Sequence, residues 1–79
     1  MRVLVLADDH WHPAQTPRGG LQPLSTEFEF DWIENAADWS AERMAEYPVT
    51  ILTKSNGVAV QDDTPWMTQV AEQAFAAYV

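Results

Sequence analysis

The sequence predicts a small α/β fold: a parallel three-stranded sheet with flanking helices on both faces, making three layers. Two observations carry this. The chain opens with an unbroken apolar run, Val3-Leu4-Val5-Leu6-Ala7, that halts at Asp8 and Asp9. A run of that length, rich in β-branched residues and without alternation, suits a strand buried on both faces, as in the middle of a parallel sheet. Strand-like stretches then recur at Phe28, Phe30, Trp32 and at Val49, Thr50, Ile51, Leu52, with helix-start signals between and after them. That alternation is the mark of βαβ units.

Each element has a local reason. After the first strand, Asp8 to Thr16 is a polar loop punctuated by Pro13. Thr16 and Pro17 read as N-cap and first helical position, since proline gives up only an amide that has no partner there. Gly19 and Gly20 weaken the helix that follows and Pro23 shortens or kinks it, leaving Leu21 and Leu24 to face the sheet. Phe28, Phe30 and Trp32 alternate with Glu27, Glu29 and Asp31, so the second strand has one wet side and belongs at a sheet edge. Asp38 or Ser40 can cap a short helix, Ala41 to Tyr47, with Met44 and Ala45 inward and Pro48 ending it. The third strand, Val49 to Leu52, lacks clean alternation and reads as interior; it ends in the turn signal Lys54-Ser55-Asn56-Gly57. Val58 to Asp63 is loop with a strand-like bit. Thr64-Pro65 repeats the cap-and-proline start, before a helix with Met67, Val70, Ala71, Ala74 and Tyr78 on one face.

Right-handed crossovers with the wet strand at the edge place the first strand centrally, giving strand order 2-1-3, a flavodoxin-like topology. The direction of winding switches between strands one and three. Ligands bind beyond the carboxyl ends of strands at such a point, and there Asp8 to His12 meets Lys54 to Gly57. The sequence runs out at Val79 inside the last helix, where a crossover normally returns to a fourth strand. The expectation is therefore a truncated sheet, the N-terminal part of a larger domain. Its third strand would have an open apolar edge, prone to self-association.

Composition narrows the function classes. Twelve acidic residues against four basic ones give a net charge of −8 over 79 residues. No basic stripe is available to neutralise phosphates, which argues against nucleic acid or an anionic membrane as partner. Cysteine is absent, so disulfides, thiolate metal sites and a cysteine nucleophile are excluded for this sequence. No apolar stretch reaches transmembrane length and no targeting segment is evident, which points to the cytoplasm.

Two loops carry candidate chemistry. Asp8, Asp9, His10 and His12 include hard and borderline metal ligands, but an i, i+2 histidine pair without a third anchored ligand assigns no metal and no cofactor. In an extended segment the two imidazoles point the same way, and Pro13 with the sharp exit from the strand splays them. His10, His12 and Asp9 are the candidates for proton transfer. Lys54, Ser55 and Asn56 can present an ammonium, a hydroxyl and amides to an anion or a sugar hydroxyl; the plainer reading is a capped turn. Trp32, Trp39 and Trp66 fit packing better than ligand platforms. A receiver-domain site needs an aspartate ending strand three, where Thr53 and Lys54 stand. A flavin phosphate loop needs glycine and hydroxyls after strand one, where the residues are DDHWHP.

With these residues placed, the sequence resembles the ThuA-like (trehalose-utilisation) family of the class I glutamine amidotransferase-like superfamily. RVLVLADDHWHP, FDWIENAADWS, YPVTILTKSN and TPWMTQVAEQAFAAYV carry the resemblance, in the family's order and over nearly the whole chain. It implies a flavodoxin-like fold and a link to disaccharide catabolism, trehalose in particular, with no settled reaction. The glutaminase relatives take a cysteine, a histidine and a glutamate from later strands that have no counterpart here. In ThuA-like domains the last helix leads to a glycine-rich turn and another strand, so residues 1–79 are expected to be the N-terminal part of one such domain. Carried over residue by residue are Asp8, Asp9, His10, Trp11, His12 and Pro13 after strand one, and Lys54, Ser55 and Asn56 after strand three. Asp8, Asp9 and Asn56 are then expected to bond sugar hydroxyls and Trp11 to cover an apolar sugar face. The alternative is a fragment without catalysis that acts as a folding or protein-interaction module.

Overall fold

The structure is a computed structural model that describes residues 1–78; Val79, to which the last helix was expected to run, lies outside them. The elements are β1 (Arg2–Leu6), α1 (Gln15–Leu21), β2 (Glu29–Ile33), α2 (Ala41–Met44), β3 (Val49–Leu52) and α3 (Gln69–Tyr78), with single 3-10 turns at Gln22–Leu24 and Ala36–Asp38. The sheet is parallel with order β2-β1-β3, as the strand patterns predict. Val5 lies across from Trp32 on one side and Ile51 on the other.

β1 is the axis of the molecule because every residue from Val3 to Ala7 is buried. Leu4 and Leu6 point to one face, where Ile33, Ala36, Met44 and Trp66 complete a core capped by α2 and α3. Val3, Val5 and Ala7 point to the other, under Ala14, Leu21, Phe28, Phe30 and Trp32. Strand geometry sends alternate side chains to opposite faces, so one five-residue strand nucleates both layers.

Several boundaries differ from the sequence-based expectation. α1 begins at Gln15, one residue before the expected cap, because the Asp8 carboxylate accepts the Ala14 N–H at 2.9 Å and Pro13 accepts the Thr16 N–H. Leu24 is exposed, having rotated away from the sheet in the 3-10 turn that Pro23 imposes. Ser40 caps α2 by accepting the Arg43 N–H, but regular helix ends at Met44, and Ala45 faces solvent. α3 starts at Gln69, its first turn capped by the Thr68 hydroxyl, well after Thr64-Pro65. The inward face of α3 is Ala71, with half-buried Ala74, Phe75 and Tyr78, while Val70 is exposed. β3 pairs with β1 alone among the described residues, and Val49 and Leu52 are exposed on it. It is an edge strand here, not an interior one.

Candidate functional site at the β1 and β3 ends

The loop after β1 turns sharply at Asp8, whose φ of 77° lies in the left-handed region. Aspartate is among the few non-glycine residues that tolerate this conformation, through local hydrogen bonds of its short side chain. Asp8 is half-buried and holds the start of α1. The turn is closed by reciprocal backbone bonds between Asp9 and His12.

Asp9 is 2% exposed and organises everything around it. Its Oδ1 accepts from the backbone N–H of Trp11 at 2.9 Å and of His12 at 2.8 Å, and lies 3.0 Å from His12 Nδ1. Its Oδ2 accepts from the Ser55 N–H at 2.5 Å and the Ser55 hydroxyl at 2.7 Å. Burial on its own would raise the pKa of this carboxyl. The Ser55, His12 and Trp11 donors outweigh it and hold the group well below the usual aspartate range. Asp9 is therefore a carboxylate, and His12 Nδ1 must be the donor in their contact. That fixes the tautomer of the neutral imidazole: Nε2 is the acceptor, on a side chain that is half exposed.

Ser55 and His12 share one carboxylate and do not stand in line. Ser55 gives its hydroxyl proton to Asp9, so the imidazole does not activate it as a nucleophile. What the arrangement supplies is a positioned imidazole that can take or deliver a proton through Nε2. Among the described residues no group of three or more His, Cys, Asp or Glu side chains is gathered to hold a metal ion.

The remaining candidates divide. Trp11 is 77% exposed, with the His10 ring edge-on at 4.6 Å. Asn56 Oδ1 accepts the N–H of Trp66 at 3.1 Å and of Met67 at 2.7 Å, so its carbonyl is engaged by the chain. Lys54 is buried; its Nζ donates to the Val58 carbonyl at 2.6 Å and lies 6.0 Å from the centre of the Trp66 ring. Burial lowers the pKa of this ammonium, while Asp9 and Asp8 act in the opposite direction. Lys54 and Asn56 thus act as the turn's own structure, and Asp9 is a scaffold whose lone pairs are already occupied.

Two clefts flank Trp11. One, of about 390 Å³, is bounded by Asp9, His10, Trp11, Ser55, Asn56 and Asp63 among others. The second, of about 360 Å³, is formed by Trp11, His12, Pro13, Thr16, Pro17 and Thr53. No local pattern marks Asp63 or Thr53 as lining residues, since both reach the site only through the path of the chain in space. Wider grooves along α1 and the outer side of β2 lie away from these groups. No family model matches the chain, and no curated protein or solved structure is detectably similar to it.

Proposed function

We propose that the chain binds a neutral carbohydrate in the crevice at the ends of β1 and β3, with His12 as the proton-transferring group. This is the role that a ThuA-like protein of disaccharide utilisation would need at this crevice. One observation carries the reading: the Trp11 indole stays in solvent at the crevice mouth, flanked in sequence by two imidazoles. Packing would bury such a ring; a ligand with an apolar face gives it something to cover. The Asp9-held His12 supplies a proton acceptor beside it. Ser55 and Asp63 border the cleft with polar groups that suit hydroxyls.

Calorimetric titration with trehalose and with methyl glycosides tests the proposal. Trp11→Ala is expected to weaken binding by about tenfold through loss of the stacked ring. His12→Gln is expected to abolish turnover of any substrate found while changing affinity little. Equal affinities for parent and Trp11→Ala would remove the indole from the site.

The exposed Val49 and Leu52 on the open edge of β3 favour a second reading, a protein-interaction module without catalysis. Concentration-dependent association abolished by Leu52→Lys, with no carbohydrate affinity, would favour it over the first.

A further inference from the structure

The two clefts beside Trp11 differ in chemistry, and the difference specifies the ligand. The cleft formed with Pro13, Thr16, Pro17 and Thr53 is poor in free polar atoms. Proline carries no N–H. The Thr53 hydroxyl is turned onto the Leu6 carbonyl at 3.3 Å, which leaves the methyl group as its apolar part. The Thr16 N–H is bound to the Pro13 carbonyl. Among the described residues, the side-chain polar groups it leaves exposed beside Trp11 are the Thr16 hydroxyl and the His12 imidazole, the latter oriented by Asp9. The other cleft carries the exposed Asp63 carboxylate and the Ser55 oxygen, which gives its proton to Asp9 and is left to accept. Trp11 belongs to both.

We propose that the site takes a neutral glycoside with an apolar aglycone, the sugar ring in the Ser55–Asp63 cleft and an aryl or branched alkyl group against Pro13, Pro17 and Thr53. The inference rests on the carbohydrate reading above and narrows its substrate class. Each cleft is at the small end of the range for ligand pockets, about 300–1,000 Å³, so each has room for one ring. An anionic ligand is disfavoured on both sides. Asp63 and the net charge of −8 oppose it in one cleft, and the second cleft has few donors to pair with it.

The test is NMR titration of the full chain with matched pairs of methyl and phenyl glycosides of glucose and galactose, with phenol as control. The phenyl member is expected to bind about tenfold tighter than its methyl partner, as partial burial of an aromatic ring allows. Backbone signals of Thr16 and Thr53 should move with the phenyl compound only. Thr16→Glu puts a carboxylate at the edge of the apolar cleft in the first turn of α1, where helices accept acids. It is expected to bring the two affinities together, in a protein whose spectrum remains dispersed. Equal affinities for methyl and phenyl members in the parent would overturn this inference and leave the carbohydrate reading standing. Binding of phenol with no affinity for methyl glycosides would overturn both, as would the absence of any binding.

Discussion

Asp9 sets the geometry of the site through five accepted contacts, from Trp11, His12 twice and Ser55 twice. Asp9→Asn keeps the shape but replaces a carboxylate that accepts on both oxygens with a group that must donate from one. We expect a loss of about 2–4 kcal/mol, because donors buried against a charged acceptor lose their partner; urea unfolding near neutral pH measures it. The pH dependence follows from the sign. The folded pKa of Asp9 is depressed, so its contribution is complete above the unfolded value of about 4 and is lost as pH falls below it. The parent should lose stability on acidification through that range, and Asp9→Asn should show a shallower acid limb. Lys54 works at the other end. Its folded pKa is also depressed, by burial, so the unfolded chain holds its proton to higher pH. Between the lowered folded pKa and the unfolded value of about 10.4, stability should rise with pH from this group. Lys54→Met should lack that alkaline rise in the same unfolding series.

At the scale of elements, the starts of α1 and α3 are governed by side chains from outside the helices. Asp8 takes the Ala14 N–H, and Asn56 takes those of Trp66 and Met67. The second contact holds 65–67 out of helix until Thr68 caps α3. This explains why Thr16-Pro17 and Thr64-Pro65, sound local signals, misplace the helix starts: a cap pattern reads three or four neighbours, and these acceptors are six and ten or more residues away. Asn56→Ala should cost about 1–2 kcal/mol, comparable to loss of a helix cap, and hydrogen exchange at Trp66 and Met67 should accelerate. The strands were legible for the opposite reason. β1 is apolar on both faces, and no competing local structure suits Val3 to Ala7. Trp39, Trp66 and Phe75 pack ring against ring, with Trp39 and Phe75 stacked at 5.4 Å. Phe75 has no distinct signal in the sequence, because Val70, Ala71 and Ala74 offer an equally good apolar stripe. In the structure Phe75 takes the inward place on α3 and Val70 is 75% exposed.

At the scale of the whole molecule, two loops that are 42 or more residues apart in sequence are fixed to each other by one buried carboxylate. Their meeting point was legible, because parallel strands with order 2-1-3 bring the ends of β1 and β3 together whatever the side chains do. The division of labour within it was not legible. Nothing in DDHWHP tells which aspartate is buried, and nothing in KSNG tells that Lys54 folds back onto Val58. The open edge of β3 belongs to this scale too. If it associates, Leu52→Lys should keep the chain monomeric at concentrations where the parent sediments as a larger species. The central claim, that Asp9 holds His12 with Nε2 free beside an exposed Trp11 in order to meet a sugar, is tested most directly by nitrogen-detected NMR of the histidine side chains during titration with a methyl glycoside. We expect the neutral His12 ring to carry its proton on Nδ1, and saturable shifts centred on His10, Trp11, His12, Ser55 and Asp63. A proton on Nε2, or shifts centred on the α1–β2 groove, would contradict it.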